Sequence, residues 1–279
     1  LNMTKYVGII GYPLGHSVSP VFQQAAFDYH NLDVRYEAWA TTPAELQERI
    51  MGLRDEKYLG ANVTVPHKEA VLAVLDEIEE VAAMVGAVNT IINRNGRLIG
   101  HNTDAIAFLQ ALGGIGFDPL HKRALLLGSG GSARAAAMAM GQQGLDHLFI
   151  SNRTEARARR LAGQVGPLVP EIDVIEFSPE ILAEALHRCD LIVNCTPMGM
   201  RGGPAEGQSP LLAGLIPSGL IVNDLVYNPP LTPLLSDAQA AGAKILNGLP
   251  MLIHQGAAAF ELWTELNAPT EVMYSAAET

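Results

Sequence analysis

The chain has 279 residues, which at about 150 residues per domain makes roughly two domains. Lys and Arg number 18 against 29 Asp and Glu, a formal charge of −11 that argues against unspecific binding to nucleic acid or to an anionic membrane, since both need a basic face. Charged residues make up 17% and hydrophobic residues 48%, which disfavours disorder and coiled coil and fits a compact globule.

The opening residues carry only Lys5 before a short apolar run, Val7 to Ile10, that meets Gly11 and Pro13 at once and does not read as a signal peptide. Short β-rich runs then alternate with helix-length segments, which predicts a parallel α/β architecture. Strands are expected at Tyr6 to Gly11, Val34 to Ala40 and Leu59 to Val65, and helices at Pro20 to Tyr29 and Pro43 to Leu53. Two further helical segments are expected between Lys68 and Val85. A hairpin follows, Val88 to Asn93 and Arg97 to His101, around the turn dipeptide Asn95-Gly96. The helix Ala105 to Leu112 runs into Gly113-Gly114, a helix stop that suits a hinge and a domain boundary.

The second half is more regular, with strands at Arg123 to Leu127, His147 to Ser151, Asp173 to Phe177, Leu191 to Cys195, Leu220 to Asp224 and Ala243 to Leu246. Six strands separated by helices fit a doubly wound dinucleotide-binding sheet. The apolar stretch from Leu211 to Val222 is broken by Pro217, Ser218 and Gly219, and no run reaches the length of about 18 residues that a membrane span needs. Cys189 and Cys195 form neither a disulfide framework nor a CxxC pair, so a reducing cytoplasm is the expected compartment. An amphipathic helix from Met251 to Leu266 has no strand after it and is expected to cross back onto the first domain.

Between the strand Arg123 to Leu127 and the helix-forming run Arg134 to Met140 stands Gly128-Ser129-Gly130-Gly131-Ser132-Ala133. A strand, a glycine turn and a helix in that order place a pyrophosphate against the amides and positive end of a helix. The next strand ends in Asn152-Arg153-Thr154, with Arg153 25 residues past Gly128. An NAD-binding chain keeps an acidic group about 20 residues on, for the ribose 2′-hydroxyl. Here Arg153, Thr154 and Arg157 would instead neutralise a 2′-phosphate, so NADP is the expected cofactor. Arg159 and Arg160, and in the alternative Arg153 too, read as a solvated helix face.

In the first half, Ser19 followed by Pro20 reads as a helix cap with proline at the first helical position, while Ser17 has no such structural role. Asn62 and Thr64 share one strand face by the period of two. Lys68 is expected to open a helix, where the dipole disfavours a cation, which marks it either as a functional lysine or as a merely exposed one. Asp104 lies at a helix start, where it can act as a plain cap or dipole partner.

Taken together, Gly11 to Pro20, Asn62 to Lys68, Gly86 to Thr90, Asn102-Thr103-Asp104, the loop from Gly128, Asn152-Arg153-Thr154, Asn194 to Met200 and Gly248 to Gln255 make the chain resemble the shikimate dehydrogenase family over nearly its whole length. The resemblance implies reversible, NADPH-dependent reduction of 3-dehydroshikimate to shikimate on the route to chorismate and the aromatic amino acids. It implies a substrate-binding domain over 1–104, completed by a C-terminal helix over 248–279, and a Rossmann-type NADP-binding domain over 105–247, with the cleft between them. By residue-by-residue matching, Lys68 and Asp104 are the catalytic pair. Ser17 and Ser19, helped by Tyr227, hold the substrate carboxylate, and Asn62, Thr64, Asn89, Asp104 and Gln255 bind ring hydroxyls. Thr196, Leu225, Gly248 and Met251 line the nicotinamide pocket, beside the loop residues Gly128 to Ala133 and the group Asn152, Arg153, Thr154 and Arg157. A monomer or homodimer is implied.

Cys195 reads as packing rather than as a nucleophile. His16, His67, His101 and His254 are too scattered to make a metal site, and no metal is expected. The chain departs from the family pattern at Gln23-Gln24, usually His-Asn, and at Ala107, usually Gly. Two other readings are a quinate/shikimate dehydrogenase with relaxed substrate or NAD use, which the neutral Asn152 disfavours, and a non-catalytic NADP sensor, which retention of both Lys68 and Asp104 disfavours.

Overall fold

The computed structural model describes residues 3–15 and 17–278, so His16 lies outside the described residues. Two compact units divide the chain, Leu1–Ala107 with Ile253–Thr279, and Phe108–Leu252.

The first unit contains β1 (Lys5–Gly11), α1 (Ser19–Tyr29), β2 (Val34–Ala40), α2 (Leu46–Gly52), β3 (Tyr58–Val63), β4 (Glu77–Ile78), α3 (Glu80–Val85), β5 (Thr90–Arg94) and β6 (Arg97–His101). They form one sheet in the order β2-β1-β3-β5-β6-β4. β1 is parallel to β2 and β3, and β5 is antiparallel to β3 and β6. The C-terminal ends of β1, β3 and β6 and the N-terminal end of β5 therefore emerge at one edge of the sheet. The buried face of this sheet is apolar, with Ile10, Trp39, Ile50, Val63, Ile91 and Leu98 in one cluster. Asn95 and Gly96 close the β5–β6 hairpin with φ of 54° and 84°, the two positive angles that a twisted two-residue turn requires.

The segment after Lys68 differs from expectation. In place of a first helical segment, a five-residue 3-10 helix, Ala70–Val74, precedes the short strand β4. The cause is Asp76, whose backbone N–H donates to Leu98 O at 3.0 Å and whose carboxylate accepts from Leu98 N at 2.7 Å and from Arg54. These bonds pin the chain to β6 and cut the helix short.

The second unit holds β7 (Arg123–Leu127), α5 (Gly131–Gln142), β8 (His147–Ser151), α6 (Glu155–Val165), β9 (Glu171–Ile175), α7 (Pro179–Leu186), β10 (Leu191–Asn194), β11 (Ile221–Asp224), α8 (Pro233–Ala240) and β12 (Lys244–Leu246). All six strands are parallel, in the order β12-β11-β10-β7-β8-β9. The order reverses between β7 and β10, the switch point beside which ligands bind in such sheets. The central strands are apolar on both faces, as a sheet covered by helices on both sides demands.

Two helices span the division between the units, α4 (Asp104–Gly114) and α9 (Leu249–Thr264). The expected return of the last long helix is seen in α9, where Trp263 Nε1 donates to Ile91 O at 2.9 Å and Gly256 O accepts from Gln23 Nε2 at 2.9 Å. A further helix, α10 (Thr270–Ala277), follows and packs against α1. No helix among the described residues is long and apolar enough to cross a membrane.

Candidate active site

In the first unit, the segments that leave the shared sheet edge carry the polar residues. Thr64 N–H donates to Ile10 O at 2.8 Å and Tyr12 N–H to Val65 O at 3.1 Å, so the loops after β1 and β3 start side by side. Asn89 precedes β5 and Asp104 follows β6 at the same edge. Lys68 Nζ donates to Asp104 Oδ2 at 2.6 Å, with side chains only 14% and 5% exposed. The other carboxylate oxygen, Oδ1, accepts from Asn89 Nδ2 at 2.8 Å. Asn89 Nδ2 also reaches Thr103 Oγ1 at 2.9 Å and Gln255 Oε1 at 3.4 Å, and its Oδ1 accepts from Thr103 N–H at 2.8 Å. An ammonium held against a nearly buried carboxylate, with the carboxylate fixed from its other side, is a proton donor in a set position.

Asp104 is left available for that role because Asn102 caps α4, accepting at Oδ1 from the N–H groups of Asp104 and Ala105 at 3.1 and 3.3 Å. The reading of Asp104 as a plain cap is thereby corrected. Lys68 sits in a turn ahead of the 3-10 helix, so the expected conflict with a helix dipole is absent; burial against Asp104 is what distinguishes it. Ser19 is likewise not the cap of α1. Val18 holds that position without a side-chain bond, Ser19 is the first helical residue, and Ser17 Oγ accepts the Ser19 N–H at 3.3 Å. Neither serine hydroxyl donates to an acceptor among the described residues, so both O–H groups remain available to an anion.

Asn62 is buried on β3 and linked to the same network, donating from Nδ2 to Asn89 O at 3.3 Å and Thr90 Oγ1 at 3.2 Å. Its Oδ1 accepts from Tyr36 OH at 2.7 Å, and burial pushes the Tyr36 phenol well above its usual pKa, which keeps it a donor. Tyr36 is a supporting residue that the sequence reading did not single out; its inward place in the β2 alternation is the signal that marks it. Gln23 and Gln24 act in packing. Gln24 accepts the Tyr36 N–H at 2.8 Å and donates to Val34 O at 3.0 Å, covering part of the open edge of β2. Ala107 is fully buried.

In the second unit, the segments after β7, β8, β10, β11 and β12 leave one edge of the parallel sheet and hold Gly128 to Ala133, Asn152 to Thr154, Thr196, Leu225 with Tyr227, and Gly248. Gly128 has φ 105°, and a Cβ there would lie 3.3 Å from Cys195 C, Cys195 O and Thr196 Cγ2. At Gly248 a Cβ would lie 2.1 Å from Leu225 O, so only glycine lets these two segments touch. Gly130 stands at the head of α5 with no side-chain cap and no acidic residue in the first turn. Among the described residues the N–H groups of Gly131, Ser132 and Ala133 have no protein acceptor, which fits a cradle for phosphate. Arg153 and Arg157 are exposed and make no ion pair among the described residues, whereas Arg159 bonds Glu155 at 2.7 Å. Asn152 Nδ2 donates to Thr154 O at 2.8 Å. Two guanidiniums without an ion pair among the described residues, and no carboxylate among Asn152, Arg153 and Thr154, suit a 2′-phosphorylated nucleotide. Met251 is buried on α9.

Burial, then the Asp224 charge, holds the Cys195 thiol far above the range of a nucleophile, and burial pushes Cys189 up to about 12. Burial lowers the pKa values of His101 and His254, and buried His67 bonds Thr41 O through Nε2 at 2.6 Å. Among the described residues no three His, Cys, Asp or Glu side chains are grouped to hold a metal.

Sequence families match in three stretches: the shikimate dehydrogenase substrate binding domain over residues 9–91, shikimate / quinate 5-dehydrogenase over 115–199, and the shikimate 5′-dehydrogenase C-terminal domain over 248–278. The shikimate dehydrogenase (NADP(+)) of Symbiobacterium thermophilum is 43% identical over 98% of this chain and 93% of its own. The crystal structure of shikimate 5-dehydrogenase from Thermus thermophilus in complex with NADP(H) and shikimate superposes with a TM-score of 0.87 at 39% identity, covering 98% of both chains. Quinate dehydrogenase from Corynebacterium glutamicum in complex with NAD gives a TM-score of 0.89 at 29% identity, covering 99% of both.

Proposed function

The chain belongs to the shikimate dehydrogenase family, and from that membership we propose that it catalyses the reversible, NADPH-dependent reduction of 3-dehydroshikimate to shikimate in aromatic amino acid biosynthesis. The observation that carries the reading is the 2.6 Å contact of Lys68 Nζ with Asp104 Oδ2, held from behind by Asn89. When bound, the nicotinamide supplies the hydride in reduction and accepts it in oxidation. Reduction of a ketone builds negative charge on its oxygen, and a nearby cationic proton donor lowers the cost of that charge. Lys68 gives its proton to that oxygen in reduction and takes it back in oxidation, while Asp104 keeps the ammonium in position.

In this reading Ser17 and Ser19, with Tyr227, hold the carboxylate of the acid, and Asn62, Thr64, Asn89 and Gln255 recognise its hydroxyls. The free serine O–H groups and the dense amide and hydroxyl set around Asn89 support that division. The Gly128 to Ala133 loop would hold the pyrophosphate, Asn152, Arg153, Thr154 and Arg157 the 2′-phosphate end, and Thr196, Leu225, Gly248 and Met251 the nicotinamide. Substrate recognition is assigned to 1–104 with 248–279 and NADP recognition to 105–247. The proposal extends to a cytoplasmic enzyme, monomer or homodimer, in keeping with its two unpaired cysteines.

The test is spectrophotometric. Purified protein at mildly alkaline pH should form NADPH at a rate that depends on added shikimate. Binding of NADPH and shikimate with no turnover would instead support a sensor.

A further inference from the structure

Resting on that reading, we propose that Asp224 is a positioning residue for the nicotinamide pocket, its buried carboxylate fixing the segments after β10 and β11 in the arrangement that receives the ring. Asp224, the last residue of β11, is fully buried. Its Oδ1 accepts from Asn194 Nδ2 at 2.9 Å and from Val226 N–H at 3.1 Å, and its Oδ2 accepts from Thr232 Oγ1 at 2.6 Å. Each bond reaches a different segment: the end of β10, the turn after β11, and the head of α8, where Thr232 Oγ1 caps Leu235 N–H at 3.3 Å.

The network then passes outward. Asn194 Oδ1 accepts from Thr196 N–H at 3.0 Å and Thr196 Oγ1 at 2.7 Å, and Thr196 Oγ1 accepts from Met198 N–H at 3.3 Å. The Thr196 hydroxyl is thus committed inward, and its methyl lies beside Gly128. On the other side Leu225 N–H donates to Asn194 O at 3.0 Å, and Gly248 N–H to Val226 O at 3.1 Å. Thr196, Leu225 and Gly248, three of the four assigned nicotinamide neighbours, are therefore tied to one carboxylate that no ligand needs to touch.

The charge state matters because all three partners donate. Burial raises the Asp224 pKa to about 6, against the bonds from Thr232, Val226 and Asn194 that lower it. The groups that face it are Asn194 of β10, the Val226 N–H after β11 and Thr232 at the head of α8, and its charge bears on the Cys195 thiol; no charged side chain among the described residues bears on it. Above about pH 6 the carboxylate accepts all three bonds. Below that the carboxyl carries a proton of its own, and the oxygen that bears it no longer accepts as a carboxylate does, which weakens the hold on one of the three segments.

The test compares wild type and Asp224→Asn by their dissociation constants for NADPH and for 2′,5′-ADP, which lacks the nicotinamide. In the variant, affinity for NADPH should fall at least tenfold at pH 8 while affinity for 2′,5′-ADP stays within twofold, a result that also shows the second unit to be folded. Lowering the pH through 6 should shrink the difference in NADPH affinity between wild type and variant, because the 2′-phosphate titrates at about 6 as well and weakens binding in both alike. Should Asp224→Asn not fold, Thr232→Val, which removes one of the three bonds, should give the same split with smaller size. Equal loss of both ligands, or unchanged NADPH binding, overturns the inference. The binding split does not depend on turnover, so absence of shikimate oxidation by wild type would remove the functional reading without deciding this one.

Discussion

The Lys68 side chain is 14% exposed, and its Nζ has the Asp104 carboxylate at 2.6 Å. In the proposed reading, replacing the lysine with alanine removes the proton donor but leaves the serines and amides of the pocket intact. Lys68→Ala should therefore lower kcat by about 10²- to 10⁴-fold with a much smaller change in the KM for shikimate, as steady-state rates would show. Full retention of turnover would reject the acid–base role. Arg153 offers the complementary case. Its guanidinium is exposed and unpaired among the described residues, and a bond to phosphate contributes about 1.5–3 kcal/mol. Arg153→Ala should raise the KM for NADP roughly 10- to 100-fold and leave that for NAD nearly unchanged. Both residues are legible in the sequence, but for different reasons. Arg153 is placed by its distance from the glycine loop, whereas Lys68 is marked by an argument from a helix dipole that the turn at 68 does not bear out. What makes Lys68 special is a partner 36 residues away in the chain, and local sequence does not reveal that pairing.

At the scale of elements, the helix α4 shows how local chemistry serves the site. Asn102 caps it, and Asn102 Nδ2 also donates to Ala87 O at 2.9 Å, so the cap is fixed to the strand-entry segment before β5. Asn102→Ala should cost about 1 kcal/mol of stability, read as a fall of a few degrees in the thermal midpoint, and should lower kcat as well because Asp104 loses its fixed backbone. An unchanged kcat with a lowered midpoint would limit Asn102 to stability. The strands of the second unit are legible in the sequence because they are continuous apolar runs bounded by turn residues, as buried parallel strands must be. β9 is the weakest match. It begins at Glu171 rather than Asp173, since an edge strand of mixed polarity leaves its ends undefined by burial. The 3-10 helix at Ala70–Val74 and the strand β4 escape sequence reading altogether, because Asp76 sets them through bonds to Leu98 and Arg54 that are distant in the chain. The helix α10 escapes it as well, being short and only partly apolar.

Over the whole molecule, two sheets of unlike build obey one rule: each gathers its candidate site residues where the loops leave one edge. In the first unit the antiparallel pair β5 and β6 brings Asn89 and Asp104 to the edge where the parallel strands β1 and β3 end. In the second, the reversal of strand order between β7 and β10 brings Thr196 beside Gly128. The net charge of −11 gives an anionic ligand no general attraction, so in the proposed reading a few cations decide, Arg153 and Arg157 toward the nucleotide and Lys68 toward the reacting oxygen. The fold class and the glycine loop were open to sequence reading because strand order and turn residues repeat locally; the hydrogen-bond networks around Asn89 and Asp224 were not, because they join segments from across each sheet. The most direct test of the account is kcat/KM measured for shikimate and for quinate, each with NADP and with NAD. Shikimate with NADP should exceed the other three pairs by at least tenfold. Equal or higher values with quinate or with NAD would contradict it.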